Sequence, residues 1–417
     1  MQQKVALAMF AILLISNIGA SAPANENVLH PNIVRAMDDA DANTQIEFIV
    51  QYRPELTTQH LQTAEGIGIE VISIFEFIDG YFGKATASQI RDLSKQNDIF
   101  WIEHNSQMEY YMQDTTRVIN AVEAWQTVII NEDEQVIVDQ TNQHTYIDGT
   151  GVAAVIIDTG VDAGHPDFDY DEGKTVSYKF DRATRTWIEA ENSDTSSGHG
   201  THCAGTVGGN GDAAAGAKKG VAPGATLVGM GVGDIAFIDN AVEAFQWVYD
   251  NSRPDANPLN IRVTSNSWGS SGSEYDPSNA ISQAVLNLQY DNNVVSVFAA
   301  GNSGGDGSDL QTNPYASIPL VIGVAALEHD GSGIAGFSSR GDMTKPQTWP
   351  DIGAPGVEIW ATAPRATLID IIQRPSDDDL YYMAISGTSM ATPHIAGVAT
   401  LLYQAAPSLG VADYLYE

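Results

Sequence analysis

No intrachain disulfide can form, because Cys203 is the only cysteine among the 417 residues. Burial and hydrogen bonding, rather than cross-links, must hold this chain together. Positive charge is also scarce. Lys plus Arg total 19 against 53 Asp plus Glu, for a net charge of −34. Such a surface repels phosphate backbones and anionic lipid, which excludes nucleic acid and acidic membranes as partners. A saline habitat, bound cations and plain solubility are each compatible with the acidity. Long apolar runs are missing beyond the start of the chain. The run there, "VALAMFAILLIS", follows Lys4 and is shorter than the ~20 residues a membrane span requires. The small residues of "NIGASAPA" come next, and Ala22-Pro23-Ala24 fits an A-x-A cleavage signal. Residues 1–24 therefore have the form of a secretory signal peptide. The product is expected to be secreted, with no membrane span in its mature form.

What is present reads as two folded parts. In residues 25–113, "TQIEFIVQY" alternates as a strand, and "ELTTQHLQTAEG" reads as a helix ending at Gly66. "IEVISIFEFIDGYFGKAT" reads as two strands turning at Asp79-Gly80. "ASQIRDLSKQ" is a second helix and "DIFWIEH" a last strand. The order β-α-β-β-α-β predicts a small ferredoxin-like α+β domain. From residue 114 the style changes. Apolar strands such as "GVAAVIID" and "NVVSVFAAG" alternate with helical stretches such as "DNAVEAFQWVYDN" and "SNAISQAVLNLQYDN". That alternation predicts an α/β domain over 114–417 with a mainly parallel sheet between helix layers, its reactive groups where strands end in loops. "TVIINEDEQVIVDQTNQHTYIDG" reads as an acidic hairpin ahead of the first sheet strand.

Four glycine-flanked loops carry chemistry. Asp158 closes the apolar run "VAAVIID", where a carboxylate is costly unless paired. His199 sits between glycines in "SGHGTHCAG". His199 and His202 lie three apart, without the i, i+4 spacing and intervening acid of helical zinc sites, so zinc is not expected. Cys203 reads as a small buried residue. Ser389, after Gly387-Thr388, opens the apolar helix pattern "MATPHIAGVATLLYQAA", where free N–H groups favour negative charge. Pro393 is expected near the first turn, where a missing N–H costs little. His394 follows Ser389 by five residues, which turns it away from the serine toward the core. The base for a serine nucleophile must then come from elsewhere: an imidazole, oriented by a buried carboxylate. Asp158, His199 and Ser389 supply those groups. Asn302, in "AAGNSGG" after a strand, would donate its amide to an oxyanion together with the Ser389 N–H.

Taken together, "DTG" at 158–160, "HGTH" at 199–202, "AAGN" at 299–302 and "GTSMATPH" at 387–394 resemble the subtilisin-like serine proteases, the subtilases. The resemblance runs from about 118 to 408 and includes the chain order Asp, His, Ser. It implies a serine endopeptidase with Ser389 as nucleophile, His199 as base, Asp158 as its orienting acid and Asn302 in the oxyanion hole. It also implies that Ser267, Trp268 and Gly269 bind the substrate as an added strand, and that Ala300 and Gly301 help wall a pocket for a large apolar side chain. Residues 25–113 resemble the family's propeptide, an inhibitor and folding aid cut between about 108 and 116. Protein or peptide substrates and the propeptide itself are the implied partners of a monomer. Calcium is the implied structural cofactor, with Asp167 as a ligand. Two features depart from the pattern: an acidic insertion of about twenty residues before Gly149, and a chain that stops 28 residues after Ser389, as expected of a catalytic domain truncated at its C-terminus.

Overall fold

The computed structural model describes residues 28–75, 78–105, 111–129, 145–233, 237–270, 273–365, 367 and 380–411. The expected signal peptide and most of the acidic insertion lie outside them. The chain divides into two units, Met1–Met108 and Glu109–Glu417.

The first unit begins with helix α1 (Pro31–Asp39), which the pattern did not announce. It continues with β1 (Ile46–Tyr52), α2 (Thr58–Ile67), β2 (Glu70–Phe75), β3 (Gly80–Ala85), α3 (Ala87–Leu93) and β4 (Ile99–His104). The sheet order is β2-β3-β1-β4, and every pairing is antiparallel, as a ferredoxin-like unit requires. β1 alternates buried and half-buried residues, so Phe48, Val50 and Tyr52 enter a core with Ile90, Leu93 and Ile102. Helix α2 runs on to Ile67 and is capped by Gly68, rather than ending at Gly66.

The second unit begins with α4 (Tyr111–Val118) and α5 (Ala121–Ala124). The division at 108/109 precedes the expected 113/114 because α4 belongs to this unit: Thr115 Oγ1 hydrogen-bonds the buried His394 Nε2 at 3.0 Å. The ends of the expected acidic hairpin do pair, Val128 with Tyr146, antiparallel. The sheet then builds from β5 (Ala153–Asp158), β6 (Thr175–Asp181), β7 (Thr186–Glu189), β8 (Thr226–Gly231), β9 (Ile261–Asn266), β10 (Val295–Ala299), β11 (Ile322–Leu327) and β12 (Ile352–Pro355). Helices α6 (His199–Gly208), α7 (Ile238–Asn251) and α8 (Ala280–Asn292) lie between strands. A β13 (Ile359–Thr362) and β14 (Tyr382–Ile385) ribbon precedes α9 (Thr388–Ala405).

The strand order is β12-β11-β10-β9-β5-β8-β6-β7, parallel except for the β6–β7 pair. Every residue of β5 is buried, which explains its unbroken apolar run. Ala154 and Ile156 pack into the layer of α6 and α9, while Val155 and Ile157 pack into the layer of α7 and α8. The result is the expected three-layer α/β/α arrangement. Because β5, β9 and β10 are neighbours and parallel, Asp158, Ser267 and Gly301 all lie at or just past the carboxyl ends of these strands, on one side of the sheet. No helix among the described residues is long and apolar enough to cross a membrane.

Candidate active site

Asp158 is the last residue of β5 and is buried. Its Oδ1 accepts the Thr159 N–H at 2.7 Å and faces His199 Nδ1 at 2.7 Å. Its Oδ2 is buried with no partner among the described residues. His199 opens α6, behind an N-cap at Gly198 with φ 91°. That left-handed conformation suits glycine, and a Cβ there would also strike Pro364 and Thr367. Gly200 serves a different need. A Cβ on it would stand 2.2 Å from Gly160 O, so only glycine lets the helix approach the Asp158 loop this closely. The His199 side chain keeps 24% of its surface exposed, enough for a reactant to reach it. Burial is the largest single influence and lowers the His199 pKa, but the charge and hydrogen bond of Asp158 together with the neighbouring Cys203 outweigh it, and the net position is well above the ordinary imidazole value.

Ser389 is the second residue of α9, at the free N–H end of that helix. Its hydroxyl donates to Ser267 O at 3.0 Å. Asn302 is anchored by its carbonyl: Oδ1 accepts both the N–H and the hydroxyl of Thr388, each at 2.8 Å. That leaves Nδ2 turned toward the serine. A methyl group placed on Gly387 would stand 3.4 Å from Asn302 Nδ2 and 3.6 Å from Ser389 N, so the two donors face one small space. Beside it, Ser267, Trp268, Gly269 and Gly301 line a cavity of about 280 Å³ that reaches Asn302 and Ser389. Asp158 and His199 border a second hollow of about 660 Å³ that shares the Ser267–Gly269 segment.

Residues 149–415 match the sequence pattern of the Subtilase family, and the match includes all four loops. The chain belongs to the subtilase family. As a subtilase it is 34% identical over 275 residues to the serine protease AprX of Bacillus subtilis, covering 63% of this chain and 59% of that protein. It is 28% identical over 362 residues to a cuticle-degrading serine protease of Arthrobotrys oligospora, covering 84% of this chain and 73% of that one. Among solved structures, the S41 psychrophilic protease superposes with a TM-score of 0.51 at 30% identity, over 64% of this chain and 81% of that one. The chain thus spans about three fifths of the length of AprX.

The subtilase site differs from the sequence expectations at three residues. Pro393 is not in the first turn but is the sixth residue of α9. Its missing N–H leaves Ser389 O without its i+4 donor. The Ser267 hydroxyl, at 2.8 Å, and the Cys203 thiol, at 3.4 Å, donate to it instead. Cys203 lies one turn beyond His199 on α6, 3.9 Å from its Nδ1, fully buried, and burial raises its thiol pKa. Ala300 does not wall the cavity. It is fully buried, with its N–H on Val324 O and its carbonyl accepting from Asn313 N, and its neighbours Ala299 and Gly301 do the lining. The alternating direction of an extended segment puts the one between them behind the wall.

Asp167 is the third difference. Its fully buried carboxylate accepts the Tyr382 hydroxyl at 2.8 and 3.0 Å and the Ala213 N–H at 3.0 Å. A calcium site needs six to eight oxygens turned on one point. Here a phenol hydroxyl and a backbone N–H donate to the carboxylate, and the residues around Asp167 do not fit the ion. The second histidine of "HGTH", His202, is structural. It bonds Ile359 O at 2.9 Å and Met383 O at 3.2 Å, tying α6 to the β13–β14 ribbon, and burial lowers its pKa to about 3. His394 is buried with Nδ1 on Met390 O at 2.8 Å, away from Ser389, and burial lowers its pKa to about 4. Sequence reasoning missed Thr388 as the anchor of Asn302. Its place beside Ser389 in "GTS" was the available signal.

Proposed function

We propose that this chain is a secreted serine endopeptidase, made as a zymogen that removes its own N-terminal unit. One observation carries the reading: the 2.7 Å Asp158–His199 pair, the Ser389 helix end and the Asn302 amide gather at the carboxyl ends of neighbouring parallel strands. In the reaction the Ser389 hydroxyl leaves Ser267 O by rotation about χ1 and attacks the peptide carbonyl. His199 takes its proton on Nε2, and Asp158 stabilises the resulting imidazolium. The oxyanion settles between the Ser389 N–H and Asn302 Nδ2. The proton then passes from His199 to the leaving amine, and water completes the cycle by the same route. Ser267–Gly269 offers the substrate backbone an edge to pair with. The cavity beside it is lined by uncharged side chains, which disfavours a charged residue before the cut bond. The test is labelling with a fluorophosphonate and hydrolysis of casein. Label on Ser389 in the wild type, absent in His199→Ala, supports the reading; casein left intact by the labelled enzyme sinks it.

Gly387→Ala tests the oxyanion space directly. Its φ of 162° is ordinary extended backbone, so alanine brings no backbone strain there. The methyl would instead stand in ordinary contact with both donors and fill the space an oxyanion would take. The expected result is a fall in kcat of about 10²-fold, the cost of losing one such donor, with the melting temperature little changed. An unchanged kcat would remove Asn302 and the Ser389 N–H from the mechanism.

The propeptide reading is supported by the ferredoxin-like unit and by the Arthrobotrys relative, whose alignment covers more of this chain than the second unit alone. Residues 25–113 carry a net charge of about −9, and the chain after them about −26. Salt screens their mutual repulsion. Inhibition by the isolated segment should therefore strengthen from about 0.05 to 0.5 M NaCl; an inhibition constant that stays flat or weakens contradicts it.

A further inference from the structure

The first turn of α6 lacks a capping side chain of its own, because its N-cap is Gly198. The group that fills this place is Asp194, from the preceding loop, and it is fully buried. One carboxylate oxygen accepts the Gly198 N–H at 2.9 Å and the Thr159 hydroxyl at 3.1 Å. The other accepts the Thr201 N–H at 3.1 Å and the Thr201 hydroxyl at 2.7 Å. Each donor adjoins the site. Thr159 follows Asp158, while Gly198 and Thr201 bracket His199. The Thr159 hydroxyl also accepts the Gly200 N–H at 2.9 Å, which closes the circuit between the two loops. The Asp194 N–H is itself held by Asn192 Oδ1 at 2.9 Å.

A buried carboxylate is expensive unless hydrogen bonds satisfy it. Here four donors do so, and they come from the two loops that must hold Asp158 and His199 in register. Those two residues stand on different elements, 41 positions apart. Catalytic geometry tolerates an error of only about 0.5 Å, so something must tie the loops together.

We propose that Asp194 is a positioning residue for the Asp158–His199 pair, acting through Thr159 on one side and the first turn of α6 on the other. The proposal rests on the peptidase reading of that pair. Asp194 touches neither substrate nor the reacting atoms. Asp194→Asn preserves volume but turns an NH₂ toward N–H and O–H groups, so one side of the clamp opens. Thr159→Val cuts the link to the Asp158 loop and leaves the bonds of Asp194 to α6 in place.

The experiment compares Asp194→Asn, Thr159→Val, their double variant and Thr159→Ser in the full chain, with rates normalised to fluorophosphonate-titrated sites. Both single variants should lose roughly 10- to 100-fold in kcat with KM within about twofold, since a small misplacement costs on this scale. The double variant should lose no more than the worse single one, and Thr159→Ser should restore the rate, because the coupled groups act as one unit. The low-field proton signal of His199 Nδ1–H, sharp in the wild type, should broaden in both single variants. A kcat per titrated site within twofold of wild type, with only the melting temperature lowered, would overturn the proposal. So would strictly additive losses. If Asp194→Asn does not fold, the Thr159 pair decides the matter by the same rate and proton readouts. A wild type that neither labels nor cuts casein would instead defeat the peptidase reading, and the proton signal would still judge the positioning role.

Discussion

Asp158→Asn is expected to lower kcat about 10⁴-fold, the magnitude found when the carboxylate of such a triad becomes an amide. The same substitution should move the acid limb of the pH profile. His199 acts as a base only when neutral, so activity rises with pH through its pKa. In the wild type, burial is the largest influence and pulls that pKa down, but Asp158 and Cys203 together raise it further than burial lowers it, which places the limb above the ordinary histidine value. Replacing Asp158 removes the foremost of the influences that oppose burial, and the limb should shift toward acid. The stability linkage has the same origin. A histidine whose folded pKa lies above its unfolded value contributes stability that is full below the unfolded pKa, near 6.5, and is lost as pH rises through the folded one. The melting temperature of Asp158→Asn should lack that decline on the alkaline side. A pH–rate profile for kcat/KM beside a melting series checks both. A limb that stays in place would mean that His199 is not the titrating base.

Arg365→Met is the second substitution with a large expected effect, and it acts on stability. Asp162 lies fully buried three residues after Thr159. The Arg365 guanidinium reaches both of its oxygens, with Nε at 2.8 and 3.1 Å and Nη2 on Oδ1 as well, and the Arg365 N–H adds a further contact at 2.9 Å. The Arg365 side chain is itself 55% exposed and also meets Glu191 at 2.9 Å. Removing the guanidinium strands a buried carboxylate, a loss of about 3–5 kcal/mol for a fully enclosed pair. Water can enter where the exposed arginine stood, so about 2–3 kcal/mol is expected here. The sign of the double variant is the informative part. Asp162→Asn with Arg365→Met removes charge from both sides and should cost less than Arg365→Met alone. Denaturant unfolding of the three proteins measures this, and a double variant less stable than the single one would reject the account.

Much of the site was legible because its chemistry is local. A carboxylate ending an apolar run, a histidine between glycines, a serine opening a helix and an asparagine in a glycine-rich turn each announce themselves within about ten residues. Strand and helix periodicity likewise foretold both sheets, since alternation and apolar runs report which faces are buried. Helix α1 was missed, lying ahead of the first clear strand. The differences at the site come from distant partners and from side-chain direction. Pro393 looked harmless because its effect falls on Ser389 O, whose replacement donors, Ser267 and Cys203, lie 122 and 186 positions away in sequence. Ala300 was misjudged by one position because the wall of a cavity is set by side-chain direction, not by motif membership. Asp167 stands where a resemblance would place a cation ligand, yet Tyr382, 215 positions away, donates to it instead.

The sequence by itself determined the candidate reacting groups, the glycines that let them approach one another, and the α/β alternation that sends strand ends to one edge. Tertiary structure alone decided which carbonyls and amides those groups rest on. The reason is physical: side-chain type and backbone conformation are encoded locally, whereas a buried donor or acceptor is satisfied by whichever segment packs against it, and that partner comes from anywhere in the chain.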